Sequence, residues 1–554
     1  MKKPLILLGI IFIAGLFLRL ISLGYTPSGF TPDEASQGYA AYSLLQTGKD
    51  EWGIPWPITS FRAFADFRAP LQTYLMIPSI AIFGLNEFAV RLPSAIFGSL
   101  AILLLYFLAK ALFPKQPKVA LFASLFLAIS PWHLQFSRMA LEANYSSFFL
   151  TGGLLFFTLG LSKPRLLILS GILFGLDLYS YLAAKIFVPL FILGLLIVFR
   201  ESFREIKIKY LCIFLGLLAL FGAPLYLDSF FGPGNVRGKD LIITNFSKEN
   251  INEIGTIQYL SPLNQLNPKI SRLLNNKFTF TVSHFYQNFL SYLSPAFWFA
   301  ESGRETTYAI IPGRGLLYFW MMPLLFYGIY SLAKRKDKTS LIFLLWLLLG
   351  IIPAAITKEG YRPNRAGSLM TLFELVSAFG FVELLQNFKV LNKTISKIII
   401  YLTILISFAF YLNDYFIVWK IKYPSAMSYG YRELVSKVNQ YQKDYDKVVI
   451  DRGGQSQVFF AFYTKMNPIE YQTYSGKWWP IIQKKNLLFL DMIDSYTLKN
   501  YTFRSFDASV DLVPGNLVII PAAKMTEILK SNIIDQVNYP DRNPAFYLLH
   551  YVQK

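Results

Sequence analysis

Apolar residues run unbroken, or nearly so, over 4–23, 92–112, 118–131, 143–161, 166–183, 186–199, 210–227, 316–333, 339–356, 367–386 and 398–418. Each run reaches or approaches the length of a helix that crosses a bilayer core, so the pattern predicts about eleven spans. The shorter runs suit helices enclosed by neighbours or placed in a thinned bilayer. The first run follows Lys2 and Lys3, is longer than a usual signal-peptide core and lacks an Ala-x-Ala pattern before Tyr25. It is expected to remain as an anchor with its N-terminus in the cytoplasm.

Threading the chain back and forth from that start assigns the gaps 115–118, 162–165, 200–209, 334–338 and 387–397 to the cytoplasm. All are short and rich in Lys and Arg, as the positive-inside rule requires. The same threading puts 25–91, 131–142, 227–315, 357–366 and everything after Trp419 on the outer face, with nearly all the acidic and aromatic polar residues. Near residue 424 the spanning pattern stops. Short β-like runs at 448–450, 487–490 and 517–520 then alternate with helical patterns at 431–441 and 457–465. That alternation predicts a small α/β domain. The expected architecture is a polytopic α-helical membrane protein of about eleven transmembrane helices, residues 1–424 with outer loops 24–91 and 228–315, followed by a soluble extracytoplasmic α/β domain over 425–554.

Composition agrees: 54% of the 554 residues are hydrophobic and 16% charged, which no soluble core absorbs. The net charge of +20 would suit nucleic acid, but the Lys and Arg punctuate the gaps between apolar runs and form no patch, so topology accounts for them. One cysteine, Cys212, lies inside an apolar run, which excludes an internal disulfide. His133, His284 and His550 lack ligand spacing, so the sequence gives no support for a zinc site.

Chemistry is expected on the outer face. Thr31-Pro32-Asp33-Glu34 has the form of a helix start, with Thr31 as N-cap and Glu34 closing a capping box. Asp33 is not needed for that role and is the candidate catalytic base, with Glu34 beside it. Asp66 and Arg68 form either a solvated loop pair or a flap over the same pocket. Arg19, inside the first span, reads as packing support. Arg138 and Glu142, four apart, share a helix face and read as an ordinary ion pair. Lys185 is a lone cation between two apolar runs where the positive-inside rule places none. Arg362 and Arg365 bring guanidinium forks suited to phosphate. Acids on one outer loop and cations on three others make a pocket that holds a lipid phosphate and activates a hydroxyl.

The segments 31–35, Arg68-Ala69-Pro70-Leu71-Gln72-Thr73-Tyr74-Leu75 and 83–94 resemble the C-type (GT-C) glycosyltransferases, of the protein O-mannosyltransferase and lipid A aminoarabinose transferase branch. The likeness continues through Ser137-Arg138, Ser283-His284-Phe285, 312–317 and Asn364-Arg365-Ala366. It implies inverting transfer of a sugar from a polyprenyl-phosphate donor to a protein, lipid or glycan, at the plasma membrane, without a required cofactor and with at most a weak link to a divalent cation. It further implies Asp33 as base with Glu34 and Asp66 in the catalytic group, Arg138, Lys185, Arg362 and Arg365 at the donor phosphate, and Arg68, Tyr181 and His284 at the substrate. A lipid or sugar transporter is the competing reading, but it would place ionisable groups at mid-membrane in broken helices. An anchor displaying the tail is the other, but it would need one span.

Overall fold

The computed structural model describes every residue except 1, 65, 233–240, 302–309, 486, 488 and 554. Each of the eleven apolar runs contains a helix. They begin with α1 (Lys2–Leu20), followed by α2 (Pro32–Thr47) and α3 (Leu71–Phe83), which lie outside the runs, then α4 (Glu87–Leu112), α5 (Pro117–Ile129), α6 (Pro131–Ser137), α7 (Glu142–Gly160), α8 (Leu166–Leu178), α9 (Ala184–Val198) and α10 (Ile208–Phe231). Met321–Arg335, Lys338–Ala355, Met370–Asn387 and Thr394–Asn413 complete the set.

Among the described residues, six helices are long and apolar enough to cross a membrane, or seven if the bent α5–α6 pair counts as one span. The expectation of about eleven is larger for a physical reason. The runs behind α5, α8, α9 and Met321–Arg335 make helices of 13 to 15 residues, roughly 20 Å long against a 30 Å hydrocarbon core. α7 has 19 residues, but its first two turns carry Glu142, Asn144, Ser146 and Ser147. Several apolar runs thus make helices of about two-thirds of a span inside a multi-pass membrane protein.

The basic gaps gather at one end of the bundle. Gln116 Nε2 donates to Glu383 Oε1 at 2.5 Å, Arg335 lies 5.5 Å from the rings of Phe113 and Phe379, and Lys338 pairs with Glu201 at 3.5 Å.

At the opposite end a hairpin of β1 (Phe61–Ala63) and β2 (Asp66–Arg68) joins α2 and α3. Beyond it lies a six-stranded sheet in the order β4-β5-β3-β6-β8-β7, built from β3 (Lys447–Asp451), β4 (Ser495–Leu498), β5 (Tyr501–Arg504), β6 (Asn516–Pro521), β7 (Ile533–Asn538) and β8 (Pro544–His550). β3 is parallel to both β5 and β6 and buried on both faces, which is why it reads as Val-Val-Ile without alternation. No strand forms over 487–490 among the described residues, where Leu490–Met492 is a 3₁₀ turn instead.

The core of the sheet crosses residue 424. Phe30, Ala35, Tyr39, Trp52, Met76 and Val90 of the first loop bury in one cluster with Leu434, Val448, Phe462, Tyr471, Trp478 and Leu548. Phe30 packs on Phe462 at 4.9 Å and Tyr39 on Tyr471 at 5.0 Å. Gly38 admits this approach, since a Cβ there would meet Phe462 at 3.0 Å and Val90 at 2.5 Å. The first loop and the tail thus fold against each other.

Candidate functional site

The start of α2 presents two acids with opposite surroundings. Thr31 caps the helix, and Glu34 returns an oxygen to the Thr31 N–H at 3.2 Å, completing the expected box. The same carboxylate accepts from Arg91 Nε at 2.8 Å, from Arg91 Nη2 at 3.0 Å and from the Ala140 N–H at 3.1 Å. Glu34 and Arg91 side chains are both 0% exposed. A carboxylate so enclosed meets no acceptor, so the assignment of Glu34 to the catalytic group is corrected to a structural one.

Asp33 faces the other way. Its side chain is 46% exposed, and Oδ1 accepts from Arg68 Nη2 at 2.6 Å. Arg68 is nearly buried, lies 4.9 Å from the Phe64 ring and also donates Nη1 to the Asp33 carbonyl at 3.1 Å. A guanidinium fixed on an aromatic face and bound twice to one residue orients that residue's free edge. Asp66 lies on the same hairpin, paired with Ala63 across the strands, and its side chain lies outside the described residues.

Other segments meet around this pair. The Leu71 N–H donates to the Tyr179 carbonyl at 3.1 Å, which brings the Tyr179-Ser180-Tyr181 turn against the hairpin. Gln72 Nε2 donates to the Ala140 carbonyl at 2.6 Å, and Ser60 donates to Asp228 at the end of α10 at 3.1 Å. Lys185, in the first turn of α9, lies in the field of Asp228 and Glu142. The Leu71–Tyr179 bond thus ties the turn that carries Tyr181, just before Lys185, to the segment that follows Arg68, while Asp228, which the sequence reading did not single out, meets Ser60 and lies in the field of Lys185 with Glu142. The signal for Asp228 was present: it is an acid closing an apolar run.

Arg138 departs from its expected role. It is fully buried, and its guanidinium donates to the carbonyls of Leu18 at 2.5 Å, Ile21 at 2.7 Å and Thr26 at 2.9 Å. These carbonyls at and beyond the end of α1 have no helical partner. Arg138 therefore caps α1: its guanidinium is taken up by backbone carbonyls, where the sequence reading expected a phosphate or Glu142 as its partner. Arg19 acts alike: it donates to the carbonyls of Leu127 and Ala128, which the α5–α6 bend leaves free, and lies 2.9 Å from His133 Nδ1. Arg91, which no part of the sequence reading assigned, takes the carbonyls of Leu23, Pro27 and Gly29 besides Glu34. Its signal was a charge inside an apolar helix, which needs a buried partner.

Arg362 and Arg365 converge on Glu359, at 2.7 Å and 3.5 Å, and Arg365 Nη1 also donates to Thr357 at 2.7 Å. Their turn approaches the start of α7, where a Cβ on Gly367 would meet that of Ala143 at 2.6 Å. His284 is half-buried, stacks on Phe280 at 4.0 Å and has Nδ1 3.0 Å from that residue's carbonyl, with the Arg362 turn two helical turns further on at Tyr292. Among the described residues, no three His, Cys, Asp or Glu side chains converge on a cation position.

Two acids behind α2 complete the electrostatics. Glu51 is buried with Oε1 accepting from Ser36 at 2.7 Å and Oε2 unpartnered, and burial pushes its carboxyl up to about 8. Burial likewise raises Asp50 to about 6, against hydrogen bonds from Ile54 and Trp52 that hold it down.

Comparison with known proteins follows the same geometry. Residues 68–226, from Arg68 into α10, match the family model of dolichyl-phosphate-mannose-protein mannosyltransferases, a segment well short of half the chain. The undecaprenyl phosphate-alpha-4-amino-4-deoxy-L-arabinose arabinosyl transferase 1 of Pseudomonas fluorescens is 32% identical over 117 residues, 21% of this chain and 19% of that relative. The chain thus matches about a fifth of that relative's length. ArnT from Cupriavidus metallidurans, solved in the apo state and bound to undecaprenyl phosphate, superposes with a TM-score of 0.54 at 12% identity, over 98% of this chain and 99% of that one. The Archaeoglobus fulgidus oligosaccharyltransferase tethered to an acceptor peptide gives 0.50 at 15% identity, over 83% of this chain and 63% of that one. The chain has the GT-C glycosyltransferase fold, from its first helix through its terminal sheet.

Proposed function

We propose that this protein is an integral membrane glycosyltransferase that moves a sugar from a polyprenyl-phosphate donor to a hydroxyl of a protein, lipid or glycan on the extracytoplasmic face. The observation that carries the reading is the Asp33–Arg68 pair: a half-open carboxylate at a helix start, aimed by a nearly buried guanidinium. The ArnT structure with the same fold contains undecaprenyl phosphate, which supports a lipid-phosphate donor.

In this reading the acceptor oxygen attacks the anomeric carbon as the bond to the phosphate oxygen breaks. Asp33 takes the hydroxyl proton, and the polyprenyl phosphate departs with its charge met by Lys185 and the Arg362–Arg365 turn. The single displacement inverts the anomeric centre. Arg68 holds the Asp33 carboxylate in place. No metal enters this scheme, and transfer is expected to persist in EDTA. The end of the bundle that collects the basic gaps is cytoplasmic, which puts Asp33 and the sheet outside.

The test is transfer from a radiolabelled undecaprenyl-phosphate sugar to an envelope fraction by the purified full chain in detergent. Asp33→Asn is expected to lower turnover by about 100-fold or more, the usual contribution of a positioned base. Full activity of that variant overturns the assignment. The transporter reading has no comparable support, since Arg19 and His133 at the broken α5–α6 helix engage one another and freed carbonyls.

A further inference from the structure

A separate cavity of about 400 Å³ lies between the outer end of α1 and the tail, walled by residues 24–30 on one side and 428–433 on the other. Its volume falls in the range of small-molecule sites. The walls are fixed. The Phe30 N–H donates to the Met427 carbonyl at 2.7 Å, and a Cβ on Gly29, whose φ is +95°, would strike that carbonyl oxygen at 2.4 Å. Behind the wall, Arg91 ties the Gly29 carbonyl to Glu34.

The lining chemistry is mixed and charge-balanced. Arg432 donates to Glu87 at 2.7 Å, and the Tyr463 hydroxyl donates to the same Glu87 oxygen at 2.7 Å. The other lining charges, Lys420 and Glu433, also oppose in sign. A strongly anionic ligand gains nothing from such a balance. Tyr25 is 75% exposed with its ring 5.2 Å from the Arg432 guanidinium, and Tyr429 lines the opposite wall. An exposed and a half-buried aromatic ring beside fixed hydroxyl, carboxylate and guanidinium groups match one ligand class: a sugar ring, which has apolar C–H faces and an equator of hydroxyls.

We propose that this cavity is a saccharide-binding subsite that holds a sugar unit of the acceptor between Tyr25 and Tyr429, with Arg432, Glu87 and Lys420 meeting its hydroxyls. The proposal rests on the glycosyltransferase reading for the word acceptor, but not for the binding itself. Phe30 lines the cavity and Asp33 follows three residues later, at most about 11 Å along the chain. That is the reach a glycan seated in the cavity would have to cover to meet the base.

Saturation-transfer NMR on the purified full chain in a sugar-free detergent tests this, with maltose, cellobiose and mannobiose as probes. The wild type is expected to transfer saturation to ring protons of at least one probe. The signal is expected to fall about tenfold in Tyr25→Ala/Tyr429→Ala, which removes both stacking rings, and to persist in Asp33→Asn. Tyr25 is exposed, and an unchanged melting temperature of the single variant Tyr25→Ala, with a reduced signal, separates binding from folding. No transfer to any probe, or equal transfer in the double variant, overturns the proposal. Loss of sugar transfer in Asp33→Asn with no saccharide signal anywhere sinks the subsite alone, whereas full activity of Asp33→Asn with the signal intact sinks the enzyme reading alone.

Discussion

The buried and open sides of the α2 start differ by one residue of sequence and by nearly all of their physics. On the buried side Glu34, Arg91, Arg138 and Arg19 spend their charges on one another and on carbonyls at helix ends and loop turns, where water does not reach. On the open side Asp33 keeps 46% of its side chain exposed and pairs with Arg68. Charge in a membrane protein therefore divides by access: enclosed arginines complete the backbone of the loop, and the half-open pair remains available for chemistry.

The sharpest way to break that contrast is to neutralise each acid separately. Asp33→Asn should abolish transfer, by about 100-fold or more, with an unchanged melting temperature. Glu34→Gln should do the reverse. It leaves Arg91 charged and unpaired in the interior, a loss of about 3–5 kcal/mol for a broken buried pair, seen as a lower melting temperature and poor yield. Activity per folded molecule should fall far less than in Asp33→Asn. A stable, inactive Glu34→Gln protein would refute the division.

Next in size is the pair of cations on the open side. Arg68→Ala frees the Asp33 carboxylate to rotate, so kcat should drop about tenfold while donor KM changes less. Lys185→Ala, assigned to the donor phosphate, should instead raise donor KM. Equal effects of both on KM would mean that Arg68 touches the donor and does not merely aim Asp33.

What was legible in the sequence follows the same line between local and distant causes. The capping box at Thr31–Glu34 and the helices behind every apolar run rest on neighbouring residues, and the sequence shows them directly. The partners of Arg138 lie more than 110 residues away, at Leu18, Ile21 and Thr26. No spacing rule reaches that far, so its helix-face pairing with Glu142 was the natural and mistaken reading. The sheet was legible only at β3 and β6, which are continuous apolar runs. β4 and β5 alternate over four residues, too short to stand out, and the run 487–490 has strand composition but forms no strand among the described residues. The joint core of α2 and the tail was invisible for the same reason of distance.

Glu51 sharpens the comparison from beneath the open side. Its folded carboxyl titrates near 8 against an ordinary value of 4.5. Between those values the folded chain holds a proton that the unfolded chain has released, so stability falls as pH rises from about 4.5 to about 8. Glu51→Gln removes that part of the slope. Its melting temperature in detergent should match the wild type at pH 5 and exceed it by a few degrees at pH 8.5. Parallel curves for the two proteins would show that Glu51 is ionised in the fold, and the buried face of α2 would then hold one more charge than described.

The smallest expected effect is the most informative about orientation. Lys336 closes the Met321–Arg335 helix in the left-handed region at φ 51°, among the basic gaps. The next helix, Lys338–Ala355, rises about 27 Å over its 18 residues before the chain reaches Arg365. At physiological salt a charge is screened within about 8 Å in water, so Lys336 contributes almost nothing to the field at Asp33 or Lys185. Lys336→Ala should therefore leave donor KM and kcat within about twofold of the wild type, and alanine at this φ meets the same backbone cost that lysine already bears. A rise in donor KM matching that of Lys185→Ala would place the phosphate at the basic-gap end. The positive charges there would then be a binding surface, not a topology signal, and Asp33 would stand at the wrong end of the bundle to act on the donor.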